Sequence, residues 1–252
     1  MLAGFEKSRV ARLYVLDYGL FQVHSNGRII GITGSLIETD DGRFVLVDTG
    51  FHRKYLDDRD AASREDRLDE FGRLLELGPE HLPAGQLARI GLTPEDLDLQ
   101  ILTHSHIDHV GGIEEFTRVP MVVHRQERAL DRPLYWHGRH PIAWPDAQEY
   151  IEIEGDTELF DGLTVLETPG HTPGQLSLLV ELPRTGSVIL TSDTISRPGE
   201  LDGDFEGYWW PALARYQAER LMRLAAERDA FVIFGHCPEQ WPTLRKAPEY
   251  YD

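Results

Sequence analysis

Three histidines and an aspartate stand within six residues in the segment Thr103-His104-Ser105-His106-Ile107-Asp108-His109-Val110-Gly111-Gly112. Imidazole nitrogens and carboxylate oxygens are the donor set of zinc and similar divalent ions. The segment begins where the apolar stretch Leu99–Leu102 ends, so it reads as the exit of a short strand. His104 and His106 are two apart, and an extended backbone points both to one side. Asp108 and His109 then fall on a turn, where adjacent side chains diverge and can serve a second ion. Gly111-Gly112 lets the backbone pass close to the cluster and enter a helix. A polar surface loop holds the same residue types, but four donors at this spacing favour a metal site.

Three further donors each close an apolar stretch. His171 follows Leu163–Glu167 and Thr168-Pro169-Gly170, Asp193 follows Ile189-Leu190-Thr191-Ser192, and His236 follows Phe231–Phe234 and Gly235. Singly, each reads as an ordinary turn residue. Together with the first cluster they complete two ligand sets bridged by one carboxylate.

The elements that must position these residues are strand-rich. Arg12–Asp17, Ile29–Glu38 and Arg43–Val47 read as strands, the last two joined by a hairpin at Asp40-Asp41-Gly42. From His52 to Leu77 charges crowd in, with Leu68, Phe71, Leu74 and Leu75 at helical spacing, which predicts an amphipathic surface helix. Thr93-Pro94-Glu95 reads as an N-cap with proline at the first helical position. Met121–Val123, Tyr150–Ile153, Thr157–Phe160, Leu163–Glu167, Leu176–Glu181 and Val188–Leu190 read as strands. Ala212–Arg228 reads as a long helix with Leu213, Tyr216, Leu221, Leu224 and Ala225 on its apolar side, and Phe231–Phe234 as a last buried strand. Two strand-rich halves, each followed by helix and with no linker between them, predict one layered α/β sandwich domain over 1–252.

The composition narrows the function classes. Asp plus Glu number 43 against 25 Lys plus Arg, a net charge of −18. A field of that sign repels phosphate backbones and argues against nucleic acid as a partner. The apolar runs are far too short to span a bilayer, and no apolar stretch follows a basic start, so no membrane partner and no secretory signal are expected. The one cysteine, Cys237, excludes an intramolecular disulfide; a cytoplasmic setting is the plain reading, and Cys237 reads as a packing residue.

The order and spacing of these motifs resemble the metallo-β-lactamase superfamily. His104-Ser105-His106-Ile107-Asp108-His109 is similar to its HxHxDH signature. Val47-Asp48-Thr49-Gly50, Thr168-Pro169-Gly170-His171-Thr172-Pro173-Gly174, Thr191-Ser192-Asp193 and Gly235-His236 resemble its other motifs, in the same order. The resemblance implies a four-layer αββα sandwich with the site at the edge where two sheets meet. It implies that His104, His106 and His171 bind one divalent ion, that Asp108, His109 and His236 bind another, and that Asp193 bridges them. Asp48 would steady a ligand histidine or cap a turn. Zinc is the first expectation for both ions, and the same donors accept manganese, iron or cobalt.

Among branches of the superfamily, the flavodiiron proteins carry glutamate where this chain has His106, and nucleases need a basic surface. The stretch Val165–Thr191 and the segment His236-Cys237-Pro238-Glu239-Gln240 resemble N-acyl-homoserine lactonases and the related pyridoxolactonases. That resemblance implies a hydrolase opening a small-molecule lactone. A water held between two divalent ions about 4 Å apart titrates near pH 7, and Asp108 or Asp193 would manage the proton. Other small lactones, esters or lactams, and a metal-binding scaffold without turnover, are the alternatives.

One departure stands out. The lactonases carry a tyrosine three residues after the bridging aspartate, where this chain has Ser196. Tyr208 is the aromatic hydroxyl next along the chain, and a loop of that length can return it over the metals as a donor to the substrate carbonyl. Tyr135, Trp136, Trp144, Trp209 and Trp210 are candidates for pocket walls, core packing or the contact of a homodimer. His137 and His140 read as solvent-facing.

Overall fold

The computed structural model describes residues 1–252. The chain opens with the 14-residue strand β1 (Val10–Val23), paired antiparallel with β2 (Ile29–Thr39). Asp40-Asp41-Gly42 turns the chain into β3 (Phe44–Val47), and Gly42 supplies the positive φ of +80° that the turn requires. β5 (Leu99–Ile101), β6 (Met121–His124) and β7 (Tyr150–Ile153) extend the sheet in parallel beyond β3. A second sheet is built from β8 (Thr157–Phe160), β9 (Leu163–Glu167), β10 (Leu176–Leu182), β11 (Gly186–Leu190) and β12 (Phe231–Ile233). Its strands lie in the order β12-β11-β10-β9-β8, antiparallel except for the β11–β12 pair.

Alternation along the strands builds the layers. Leu13 and Val15 of β1 and Val45 and Val47 of β3 join Leu176, Leu178 and Val180 of β10 in the core between the sheets. The intervening Tyr14, Leu16, Tyr18 and Leu46 face the opposite way, into a core beneath the N-terminal helices. On the far side, Leu179 and Ile189 meet Ala214, Ala218, Leu221 and Ala225 of the helix Pro211–Arg228. The result is the αββα sandwich. Ala214, Ala218, Leu221 and Ala225 make the contact, whereas Tyr216 lies on the solvent side and is 55% exposed. No helix is long and apolar enough to cross a membrane.

Two local expectations are corrected. The segment His52–Leu77 is not one surface helix. It forms α1 (Lys54–Asp57) and α2 (Arg59–Asp66), ends in a left-handed Arg67, and continues into an edge strand, β4 (Gly72–Glu76), paired with β1. Gly72 and Leu74 are buried and Arg73 is exposed, a period of two that the leucine spacing masked. The Arg59 guanidinium donates to the carbonyls of Leu74, Leu75 and Leu77, satisfying acceptors on the free edge. Phe231–Phe234 forms a strand, but at the sheet edge: only Ile233 is fully buried and Phe231 is exposed. Thr93-Pro94-Glu95 starts a single 3-10 turn, closed by Asp96 accepting from the Thr93 amide and hydroxyl.

Candidate metal centre

The donors named from the sequence converge at one end of the sandwich. β5 leads into His104–His109, β9 into His171, β11 into Asp193 and β12 into His236, while β3 leads into Asp48 behind them. Four strand ends therefore deliver every donor. The structure groups them in two sets, His104, His106, His171 and Asp193, and Asp108, His109 and His236, with the donor atoms of each set within 4.8 Å of one another.

Asp193 faces both. Its Oδ2 lies 3.3 Å from His171 Nε2 and 3.7 Å from His104 Nε2, and its Oδ1 lies 3.1 Å from His236 Nε2 and 3.6 Å from His109 Nε2. Asp108 Oδ2 is 3.4 Å from His236 Nε2 and 3.7 Å from His109 Nε2. His171 Nε2 is 2.9 Å from His106 Nδ1. Close approach of the backbones is required: a Cβ on Gly235 would lie 2.5 Å from the Ser192 carbonyl oxygen and 2.9 Å from Asp193 Oδ1. Gly111 passes against the Phe51–His52 backbone at similar range, and its amide donates to the Gly50 carbonyl.

The outward nitrogens are held. His109 Nδ1 is 2.8 Å from Asp48 Oδ2, His236 Nδ1 is 3.0 Å from the Gly31 carbonyl oxygen, and His104 Nδ1 is 3.2 Å from Thr103 Oγ1. Asp48 also accepts from the Thr103 amide and hydroxyl. With protons on those nitrogens, each Nε2 presents a lone pair to the centre. Asp48 thus steadies a histidine, one of the two roles its position suggested, and it does so from a left-handed backbone with φ of 59°.

The residues present fit a metal pair. His104 Nε2, His109 Nε2 and Asp193 Oδ1 are buried and lack any hydrogen-bond partner, which in a native interior calls for an ion or water. The electrostatics agree. Burial works against charge on His109 and His236, but carboxylates outweigh it: Asp108, Asp48 and Asp193 push His109 up to about 9, and Asp193 and Asp108 push His236 up to about 10. Burial, then neighbouring histidines, hold His104 and His106 well below the ordinary range. Burial raises the Asp193 carboxyl, and His236 and His109 more than reverse it. A site that gathers protons beside a low-lying carboxylate will exchange them for divalent cations.

Above the cluster lies a cavity of about 640 Å³, within the range of small-molecule sites. Tyr135, Trp136, Tyr208 and Trp209 line it, as do Ser196, His137 and His140. Trp144 and Trp210 do not: Trp144 is buried, its indole donating to the Leu130 carbonyl at 2.8 Å, and Trp210 is exposed beside Trp209. The loop bearing Tyr208 folds back on His171, with the Trp209 amide donating to the His171 carbonyl and the two rings of His171 and Tyr208 4.6 Å apart, edge to face. The Tyr208 hydroxyl donates to Glu200 Oε2 at 3.1 Å, and burial pushes this phenol above its ordinary range.

Two supports had no signal in the sequence. Glu127 is 0% exposed and accepts from the Ser105 amide, the Ser105 hydroxyl and the Gly174 amide, tying the His104–His106 loop to the His171–Gly174 loop. Asp66, also buried, accepts from the hydroxyls of Tyr55 and Tyr135 and from Lys54 Nζ. Tyr135 in turn pairs its backbone with Ser105 and Ile107, bracing the same loop.

A layered sandwich with seven N and O donors converging beneath a cavity has the make-up of a metal site open to a small molecule. The family model of the metallo-beta-lactamase superfamily matches residues 31–236, and the chain belongs to that superfamily. It is 34% identical to an N-acyl homoserine lactonase of Bacillus thuringiensis over 219 residues, 85% of this chain and 84% of that one. It is 32% identical to the N-acyl homoserine lactonase AttM of Azorhizobium caulinodans over 189 residues, 66% of this chain and 68% of that one. Among solved structures, it is similar to an N-acyl homoserine lactone hydrolase with the product N-hexanoyl-L-homoserine bound at its catalytic metal center. The TM-score is 0.82 and the identity 31%, covering 96% of this chain and 100% of that one.

Proposed function

We propose that this chain, acting as a single domain over 1–252, is a dinuclear metal-dependent lactonase that opens the ring of N-acyl homoserine lactones and so quenches quorum signals. The observation that carries the reading is Asp193 facing two histidine sets at the floor of an aromatic-walled cavity. The likeness to relatives named for this activity supports it.

His104, His106 and His171 would hold one ion and Asp108, His109 and His236 the other, with Asp193 shared. Two divalent ions, zinc first among those the donor set accepts, would supply Lewis acidity and acidify water to a pKa of about 7. The chain's own residues do the rest. Phe71, Trp136 and Trp209 offer apolar surface for an acyl chain. As water adds to the lactone carbonyl carbon, Asp108, facing the cavity, takes its proton. As the ring carbon–oxygen bond breaks, Asp108 returns that proton to the departing ring oxygen. Tyr208 lines the same cavity as Ser196. Its hydroxyl, resting on Glu200, would turn to the carbonyl oxygen as negative charge develops there.

The test is a panel of lactones, lactams, thioesters, phosphodiesters and RNA offered to zinc-loaded protein. Ring opening of acyl homoserine lactones well above the rest is expected. RNA cleavage with lactones untouched, or metal binding without any turnover, overturns the reading.

A further inference from the structure

The cavity wall contains a single side chain from among lysine and arginine, Arg28. It closes the hairpin between β1 and β2. Its carbonyl accepts from the Val23 amide at 2.9 Å, and its amide donates to Asn26 Oδ1 at 2.9 Å, so the residue is fixed at its backbone. The guanidinium is not fixed. It is half-buried, its Nε is buried without a hydrogen-bond partner, and it belongs to no ion pair.

The two carboxylates that act on it, Glu200 and Glu239, already accept hydrogen bonds. Glu200 Oε2 accepts from the Ser196 amide at 2.7 Å and from the Tyr208 hydroxyl, while Glu239 accepts from Cys237 Sγ. The charge nearest in effect is another cation, Arg197, whose own Nε lies 4.0 Å from Glu200 Oε1. Elsewhere in this acidic chain arginines find carboxylates: Arg12 pairs with Glu38, Arg67 with Glu70, Arg125 with Glu154 and Arg228 with Glu181. A chain with a net charge of −18 leaves one guanidinium without an ion pair at the wall of its substrate cavity.

We propose that Arg28 determines substrate specificity by donating to an oxygen acceptor that the substrate carries outside its lactone ring, an amide carbonyl or a carboxylate. The proposal rests on the lactonase reading of the same cavity. The guanidinium offers a rigid fork of donors and no acceptor. A site built around buried donors rejects an analogue lacking the matching acceptor more strongly than an apolar wall rejects a missing methylene. The aromatic wall offers apolar surface without a directional contact. Arg28 therefore selects for the oxygen and the aromatic residues for the bulk.

The experiment compares wild type with Arg28→Gln and Arg28→Lys, all zinc-loaded, on three substrates. These are unsubstituted γ-butyrolactone, an N-hexanoyl homoserine lactone and a γ-butyrolactone bearing a carboxylate on the ring. For the substrate class that engages Arg28, the Gln variant should raise KM roughly ten- to a hundredfold with kcat little changed, the range of a lost charge-assisted hydrogen bond. γ-Butyrolactone should react equally well in all three proteins. Arg28→Lys should recover a carboxylate substrate and not an amide one, which separates the two acceptors. Independently of turnover, quenching of Trp136 and Trp209 fluorescence by ring-opened N-hexanoyl-homoserine should weaken in the Gln variant. If no lactone is opened yet that binding still depends on Arg28, the lactonase reading fails and the role of Arg28 stands. Equal losses on every substrate, γ-butyrolactone included, or no loss in either readout, overturn the proposal.

Discussion

Replacing Glu127 by glutamine tests whether the ligand loops are held by this buried carboxylate. Glu127 Oε1 receives both the amide and the hydroxyl of Ser105, and Oε2 receives the Gly174 amide at 3.0 Å. The Ser105 hydroxyl has no spare proton, because its oxygen accepts from the Leu134 amide and its hydrogen is given to Glu127. An amide side chain can satisfy only one side. The less costly orientation turns its NH2 toward Gly174, where two donors then face each other and one hydrogen bond is lost. An unmet buried donor costs about 1–3 kcal/mol, and the hydrogen bonds that remain lose their charge assistance. The total is on the order of 3 kcal/mol, or roughly 6–12 °C in melting temperature for a chain of this size. Because the two loops carry His104, His106 and His171, metal affinity should fall with stability, by about ten- to a hundredfold. Thermal melts of zinc-loaded protein and competition with a chelator measure both. A Glu127→Gln variant that melts with wild type and binds zinc as tightly refutes the reasoning.

Three further outcomes follow from the site. Asp193→Ala should abolish hydrolysis and remove most of both ions by elemental analysis, since one carboxylate faces both histidine sets; retention of two ions per chain would show that the bridge is dispensable. Tyr208→Phe should lower kcat on lactones by about a hundredfold, the loss of roughly 3 kcal/mol from one donor to a developing oxyanion, with metal content unchanged; wild-type kinetics would return Tyr208 to a packing role against His171. Chelation should destabilise the fold, because ions that bind only the folded chain at a thousandfold excess over Kd add about 4 kcal/mol, on the order of 10 °C here; an unchanged melt after verified metal loss would contradict this.

The convergence of the candidate donors was legible in the sequence because each follows an apolar strand. Strands of four or five residues have little freedom in where their last side chain points, so Thr168-Pro169-Gly170-His171 and Thr191-Ser192-Asp193 announce their geometry locally. The hairpin at Asp40-Asp41-Gly42 was legible for the same reason, since the turn chemistry is contained in the turn. The segment His52–Leu77 was not. Its leucines fit a helix and a strand equally well, and β1 supplies the deciding contact from distant sequence, through the pairing of Phe21 with Leu74. The apolar side of Pro211–Arg228 was misjudged in detail because close helix–sheet approach favours Ala214 and Ala218 over the larger Tyr216.

Glu127 and Arg28 mark the physical limit of such reading. Glu127 sits in the one-turn helix Arg125–Arg128, among charged residues that look like a solvated surface, and it is the arrival of Ser105 and Gly174 from both sides that buries it. Arg28 follows an ordinary Asn26-Gly27 turn, and only the return of the Ser196–Tyr208 loop over the metal centre makes its environment a cavity wall. Candidate donors are set by strand ends, which are local. Supports and specificity residues are set by which loops cross, which is a property of the topology. The pairing of Ser196 with Tyr208 at the cavity belongs to the second kind. Ser196 reaches the cavity along one loop and Tyr208 along another, folded back by hydrogen bonds from Trp209 to His171 and from Trp210 to Gly170. The hydroxyl is therefore tied to the backbone of a ligand loop, so a change that loosens His171 should also displace Tyr208.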